Sequence, residues 1–167
     1  MYMIPDLIVY MEKANLPILD IDDNTSIAES SAIVRYLASS KPECYGKTPY
    51  GMALTDQWLE VVECSLEAPA LVLTALLQGN VGYDKDAQKK ATEDFLKTCG
   101  IIDQQLGKTK FLTGDAPTIA DYTLASVLIS VLRVGLSGNS IGKLSHLKAW
   151  LEGMTKCEHI VQTMGRS

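Results

Sequence analysis

Thr118 and Asp121 stand three residues apart just ahead of a long apolar run, and Ser26 and Glu29 repeat that spacing ahead of another helical segment. A hydroxyl and a carboxylate at this interval suit a capping box, in which each side chain meets the other residue's backbone N–H at a helix start. Such a cap contributes about 1 kcal/mol. For Thr118-Ile119-Ala120-Asp121 this predicts a folding role and not catalysis, because the partner is local. The other reactive groups are four cysteines, Cys44, Cys64, Cys99 and Cys157. No two have metal-ligand spacing and the chain holds two histidines, so no metal site is expected. They read as reduced thiols of a cytosolic protein, mostly core filler. Cys99, on a charged helix, is expected to be exposed and oxidisable.

The 167 residues are 47% apolar and 21% charged, with a formal charge of −5. That is the balance of an ordinary globular chain. Residues 1–39 hold six carboxylates against Lys13 and Arg35, a net −4, so the excess sits in the first quarter. Direct nucleic-acid binding is not expected, since phosphate contacts need clustered Lys and Arg. Met1 is followed by Tyr2-Met3-Ile4-Pro5 with no basic stretch, so no secretory leader is expected. The most apolar run, Tyr122–Leu132, is too short for a bilayer, which needs about 20 residues as a helix. No membrane partner is expected.

The elements that must position these groups follow from pattern. Pro5–Ala14 reads as a short helix with Pro5 in its first turn. Leu16–Ile21 reads as a strand, Asp22-Asp23-Asn24 as a turn and Thr25–Ala28 as a returning strand. A helix follows over Ser30–Ser39, with Ile33, Tyr36 and Leu37 at helical spacing. Lys41–Tyr50, with Pro42, Gly46 and Pro49, reads as a linker. From Met52 the chain is helical. Leu54, Trp58, Val61, Val62 and Leu66 form one apolar face, which Pro69 is expected to kink or divide. Further helices are predicted over Lys85–Leu106, Thr118–Val134, Ser145–Met154 and Glu158–Met164, the second of them central because it is apolar on nearly every side. Gly135, Gly138 and Gly142 belong to a loop. Trp58 and Trp150 read as core.

Three anchors occur in order: Leu16-Pro17-Ile18-Leu19, the run Glu29-Ser30-x-Ala32-Ile33-x-x-Tyr36-Leu37, and Phe111-Leu112-Thr113-Gly114-Asp115 with Pro117 before the Thr118 box. Together they resemble the glutathione transferase superfamily. The resemblance implies a mainly α fold. A shortened thioredoxin-like portion, residues 1–40, would pack through Ile18, Ile27, Ile33 and Leu37 on an all-helical domain, 51–167, with 41–50 between them. In that family the residue before the strand proline offers its backbone to the cysteinyl part of glutathione, which here is Leu16 ahead of Pro17. The Glu-Ser pair binds the γ-glutamyl end. Glu29 would accept the ammonium, and the hydroxyl and N–H of Ser30, at a helix N-terminus, would hold the carboxylate. The local alternative is that Ser26 and Glu29 only cap, and that Leu16-Pro17 only turns the chain into its strand.

A thiol-activating hydroxyl or thiol is a separate requirement. The family carries it in elements ahead of those seen here. Tyr2 and Tyr10 do not match its position, so no catalytic residue is assigned and glutathione is an allowed ligand, not a required cofactor. Leu54-Thr55-Asp56-Gln57-Trp58, Glu67-Ala68-Pro69-Ala70 and His146-Leu147-Lys148-Ala149-Trp150 resemble translation-associated members, the elongation factor one gamma subunit and the domains appended to aminoacyl-tRNA synthetases. Synthetase-linked members often place Arg before the last Trp, where this chain has Ala149. The resemblance implies a cytoplasmic, non-catalytic interaction module, forming a homodimer or a hetero-complex with synthetases or elongation-factor subunits. A glutathione transferase or glutathione-binding protein is the competing reading. A lone two-stranded unit would also leave a strand edge for a partner to cover.

Overall fold

The computed structural model describes residues 17–136 and 141–164. The expected helix over Pro5–Ala14, and Tyr2, Tyr10, Leu16 and Gly138, lie outside the described residues. Two strands, β1 (Ile18–Asp22) and β2 (Thr25–Ala28), pair antiparallel with Leu19 opposite Ile27 and Asp20 opposite Ser26. They are joined through Asp23-Asn24. The Asp22 carboxylate accepts the Asn24 N–H at 2.9 Å, and that bond first of all holds Asp22 below the usual carboxylate range.

Helix α1 (Ser30–Ser39) follows at once, then a single turn α2 (Pro42–Tyr45), inside the segment expected as a linker. Tyr45 is buried, and its hydroxyl donates to both oxygens of Asp56 at 3.0 Å. Gly46 is required between α2 and α3 (Pro49–Glu60): its φ is 134°, and a Cβ there would lie 2.5 Å from the backbone of Gly51 and Met52. The Thr48 hydroxyl caps α3 by accepting the Gly51 N–H at 3.0 Å.

Helix α3 passes without a break into a π-helical stretch, Val61–Glu67, and on into α4 (Ala68–Leu77). Pro69 was expected to kink or divide this helix, and the winding changes just ahead of it. Proline brings no N–H, so the carbonyl four residues back loses its regular partner. That carbonyl, Ser65, accepts the Thr98 hydroxyl from α5 (Lys85–Leu106) at 3.0 Å, and Thr98 shares the same proton with Asp94 O at 3.2 Å. The wider turn and the missing donor are thus answered from a neighbouring helix.

Helix α6 (Ile119–Arg133) is the centre of the bundle, as its all-round apolar character predicts. It packs against α3, the π stretch, α4 and α1. Its capping box is present. The Asp121 carboxylate, with no exposed surface, accepts the Thr118 N–H at 2.9 Å and the Thr118 hydroxyl at 3.1 Å through one oxygen. The other oxygen reaches outside the helix and accepts the Leu112 N–H at 3.0 Å. Burial pushes this carboxyl up, and the Thr118 and Leu112 donors pull it back down. The Trp150 indole N–H is buried and completes no hydrogen bond, although it lies close enough to Asp121 to favour its charged form.

Helices α7 (Ser145–Met154) and α8 (Glu158–Met164) close the bundle. Leu144 cannot cap α7. Asp103 of α5 does so from outside, accepting the His146 and Leu147 N–H groups at 2.9 and 2.8 Å through one oxygen. Trp58, Trp150, Val62 and Leu66 are buried as expected. The packing of the hairpin unit departs from expectation. Ile33 is buried and Ile27 partly so, but Ile18, Tyr36 and Leu37 are exposed, at 37%, 47% and 52%. On α1 the second buried residue is Ala38. The apolar contact of α1 is narrow, and ion pairs of Arg35 with Asp56 and Glu60 lie beside it.

Two losses of stability are expected from this arrangement. Thr98→Val keeps the side-chain shape but orphans the Ser65 carbonyl, and should cost about 1–2 kcal/mol, with Thr98→Ser retaining most of it. Asp121→Ala strands two buried N–H groups and should cost about 2–4 kcal/mol. Urea unfolding measures both, and a change below about 0.5 kcal/mol in either would contradict the assigned role.

Candidate functional site

Glu29 joins β2 to α1 in one residue. Among the described residues it is the only non-glycine with positive φ, at 71°. That conformation costs an L-residue about 1 kcal/mol or more. Glu29 is itself the residue at the helix cap, its carbonyl accepting the Ile33 N–H at 3.0 Å, while its side chain caps nothing and is exposed. Ser26, the other half of the proposed local box, sits in β2 opposite Asp20. The purely capping explanation of Glu29 therefore fails: the strand continues through Ala28, so Ser26 is too early to start a helix. Pro17 lies exposed immediately before β1.

The first turn of α1 has no acidic residue to answer its free N–H groups. Ser30 and Ser31 line a cleft of about 370 Å³ between α1, the π stretch and α6. Opposite them stand Glu63 and Glu67, with the side chains of Tyr122, Thr123 and Ser126 from α6. Burial pushes the Glu63 carboxyl up; Arg35 opposes it. Burial likewise raises the Tyr122 hydroxyl, reinforced by Cys157 and Cys44, so it remains a donor and not a base. Donor groups at a helix N-terminus facing two carboxylates suit an amino-acid-like group, anionic at one end and cationic at the other.

Arg35 fixes this cleft's wall. Its Nε donates to Asp56 Oδ1 at 2.9 Å and its Nη2 to Glu60 Oε1 at 2.6 Å, with Nη1 4.0 Å from Glu63 Oε2. Burial opposes the charge, but Asp56, Glu63 and Glu60 outweigh it and hold the guanidinium more firmly protonated. Sequence reasoning missed Arg35, Glu63, Glu67 and Tyr122. The spacing of Asp56, Glu60, Glu63 and Glu67 along one helix was the available signal.

The cysteines divide differently from expectation. Cys99 is fully buried, because it continues the Ala91, Phe95, Ile102 stripe, and burial pushes its thiol up to about 12. Cys64 is exposed, and its thiol donates to Glu60 at 3.6 Å, which first of all raises it. Neither is primed as a thiolate. Cys44 and Cys157 are half-buried, and Cys157 packs against the core whose interior Cys99 fills. Among the described residues no three His, Cys, Asp or Glu side chains gather as metal ligands, and no helix is long and apolar enough to cross a membrane.

A helical bundle with this box, preceded by a hairpin and a strained Glu-Ser helix start, matches one family. Residues 68–153 match the family model described as the glutathione S-transferase C-terminal domain. The chain belongs to the glutathione transferase superfamily. It is 30% identical over 156 residues to glutathione S-transferase F10 of Arabidopsis thaliana, covering 87% of this chain and 71% of that one. It is 28% identical over 125 residues to elongation factor 1-gamma of Sus scrofa, covering 75% of this chain and 28% of the relative's length. The crystal structure of poplar glutathione transferase F1 superposes with a TM-score of 0.83 over 96% of this chain and 78% of that one, at 24% identity. Gtt2 from Saccharomyces cerevisiae does so with 0.78 over 95% and 79%, at 23% identity. The mainly helical fold with a small N-terminal αβ portion is that of these structures.

The thiols give a direct check of the site chemistry. Iodoacetamide at mildly alkaline pH should modify Cys64 in the native protein and Cys99 only in denaturant, read by peptide mass spectrometry. Labelling of native Cys99 at a comparable rate would contradict its burial.

Proposed function

We propose that this chain is a non-catalytic docking module of the transferase fold, working in the cytoplasm within a translation-associated assembly of the elongation-factor or synthetase kind. The observation that carries this reading is an open apolar groove of about 760 Å³ between α4 and α5. Val61, Ala68, Pro69 and Val72 form one wall, and Ala87, Ala91 and Ile101 the other. Val72 and Ile101, which line it, stand 42% and 50% exposed. An apolar stretch rimmed by Lys90, Asp94 and Lys97 has the make-up of a protein-binding surface. The similarity to elongation factor 1-gamma supports the translation assignment. The domain division at residues 40 and 50 belongs to this proposal, with Arg35 as the tie across it.

A second reading is favoured by one observation, the strained φ of Glu29 beside an unanswered helix N-terminus. Strain at a cap residue whose side chain makes no capping bond supports a ligand role for that side chain. In this reading Ser30 holds the glutamyl carboxylate of glutathione, Glu29 its ammonium, and Leu16-Pro17 the cysteinyl backbone. Docking and glutathione binding are compatible, while conjugation chemistry is not part of the proposal.

Val72→Asp, at an exposed position lining the groove, should leave the melting temperature nearly unchanged and should abolish self-association in light scattering or capture of elongation-factor and synthetase subunits. Native protein that is monomeric and captures neither would end the docking reading, as would steady turnover of chlorodinitrobenzene with glutathione. For the second reading, saturating glutathione at about 100 times its dissociation constant should stabilise the fold by about 2.7 kcal/mol. Ser30→Ala should remove most of that shift; an equal shift in native and variant protein would place glutathione elsewhere.

A further inference from the structure

The hairpin ahead of α1 leaves one edge of β1 open. β1 and β2 form a two-stranded sheet, so among the described residues β1 is paired on one side only. In an antiparallel ladder alternate backbone N–H and C=O groups point away from the partner strand. An unpaired row of such groups is a template for a further strand. A two-stranded ribbon is also the least stable form of sheet, and a third strand strengthens it. No bulk covers this one. Of β1 only Leu19 is half-buried, opposite the half-buried Ile27, while Ile18 and Ile21 are exposed.

Charge decides what can lie there. Asp20 is the middle residue of β1, Asp22 its last, and Asp23 follows in the turn. The Asp22 carboxylate is engaged by the Asn24 N–H. Asp20 is exposed and has no cationic partner among the described residues. An antiparallel second copy of β1, centred on Asp20, would set the two Asp20 carboxylates directly opposite each other, and like charges so placed are destabilising. The bulge between Asp20 and Asp22 keeps the regular stretch short. The edge is therefore selective: its acids repel its own copy and attract a strand of opposite charge.

We infer that the free edge of β1 takes up one short extended segment of another polypeptide, in which apolar residues alternate with Lys or Arg. The segment's backbone continues the ladder, a cation meets Asp20 across the edge, and the adjoining apolar residues lie beside Leu19 on the half-buried face. This surface goes beyond the α4–α5 docking reading and needs neither that groove nor glutathione.

The test follows a fluorescein-labelled, end-blocked Lys-Val-Lys-Val-Lys-Val peptide by polarisation on the full chain. One counterpart has Glu in place of Lys, and another carries N-methyl groups on alternate residues, which removes its ladder donors. Native protein should bind the lysine peptide saturably and both counterparts about tenfold or more weaker. Asp20→Lys, at an exposed position, should weaken the lysine peptide about fivefold or more and strengthen the glutamate peptide. If that variant melts early, Asp20→Asn should weaken the lysine peptide about twofold. Glu152→Lys, at an exposed position on α7, should change nothing, which separates the edge from attraction of any basic peptide to a chain of net charge −5. No saturable binding, binding indifferent to Asp20→Lys, equal losses in Asp20→Lys and Glu152→Lys, or an N-methylated peptide as tight as its parent would overturn the assignment. So would light scattering that shows a native dimer lost on Asp20→Lys, since the edge would then be taken by a second copy.

Discussion

One buried carboxylate organises the helical part of this protein. Asp121 collects the backbone of its own helix start and, through Leu112, the loop that precedes it. An ionised group in a dry core is unfavourable unless it is fully engaged, so the same desolvation that raises it makes each donor indispensable. The loop can take few other paths, and α6 enters the bundle at a fixed depth. The apolar surfaces of α3, α4 and α5 then close around it by burial, which is strong but has no directional preference of its own.

The N-terminal unit is attached by a different physics. Of α1 only Ile33 and Ala38 are buried, with Val34 packed against the core, and Arg35 spread over Asp56, Glu60 and Glu63 adds a polar tie. Hydrophobic contact holds the bundle helices, and α1 adds the Arg35 ion pairs to its own narrower apolar contact through Val34 and Ala38. The π stretch belongs to both regimes. Its wider winding presents Glu63 and Glu67 to the cleft while its backbone leans on Thr98. Proposed recognition surfaces are the cleft beside Ser30 and the groove between α4 and α5.

Much of this architecture was legible in the residues. Helix limits at Ser30, Lys85, Ser145 and Glu158 follow from period and flanking turn chemistry, and the Thr118 box was readable as a cap. What escaped was non-local. That Asp121 also reaches Leu112, that Asp103 caps a helix some forty residues on, and that Arg35 meets three acids require knowledge of which helices are neighbours. Cys99 was misplaced because charge density along a helix says little about one position, whereas the phase of the stripe does; Tyr36 and Leu37 share helical spacing with Ile33 and are exposed all the same, because spacing does not say how much of a face a neighbour covers. At the candidate ligand site the pair Glu29 and Ser30 was visible, but the strained backbone that sets it apart from an ordinary cap has no signature in residue type.

The borrowed cap on α7 has a bearing on how the chain assembles. Its first amides rest on a side chain belonging to another helix, so α7 has no start signal of its own until α5 has wound through Asp103. Emerging from a ribosome, the last third of the polypeptide would wait on the middle third. Fraying at the end of α5 would release α7 with it, making the two a single cooperative unit despite the long segment that separates them.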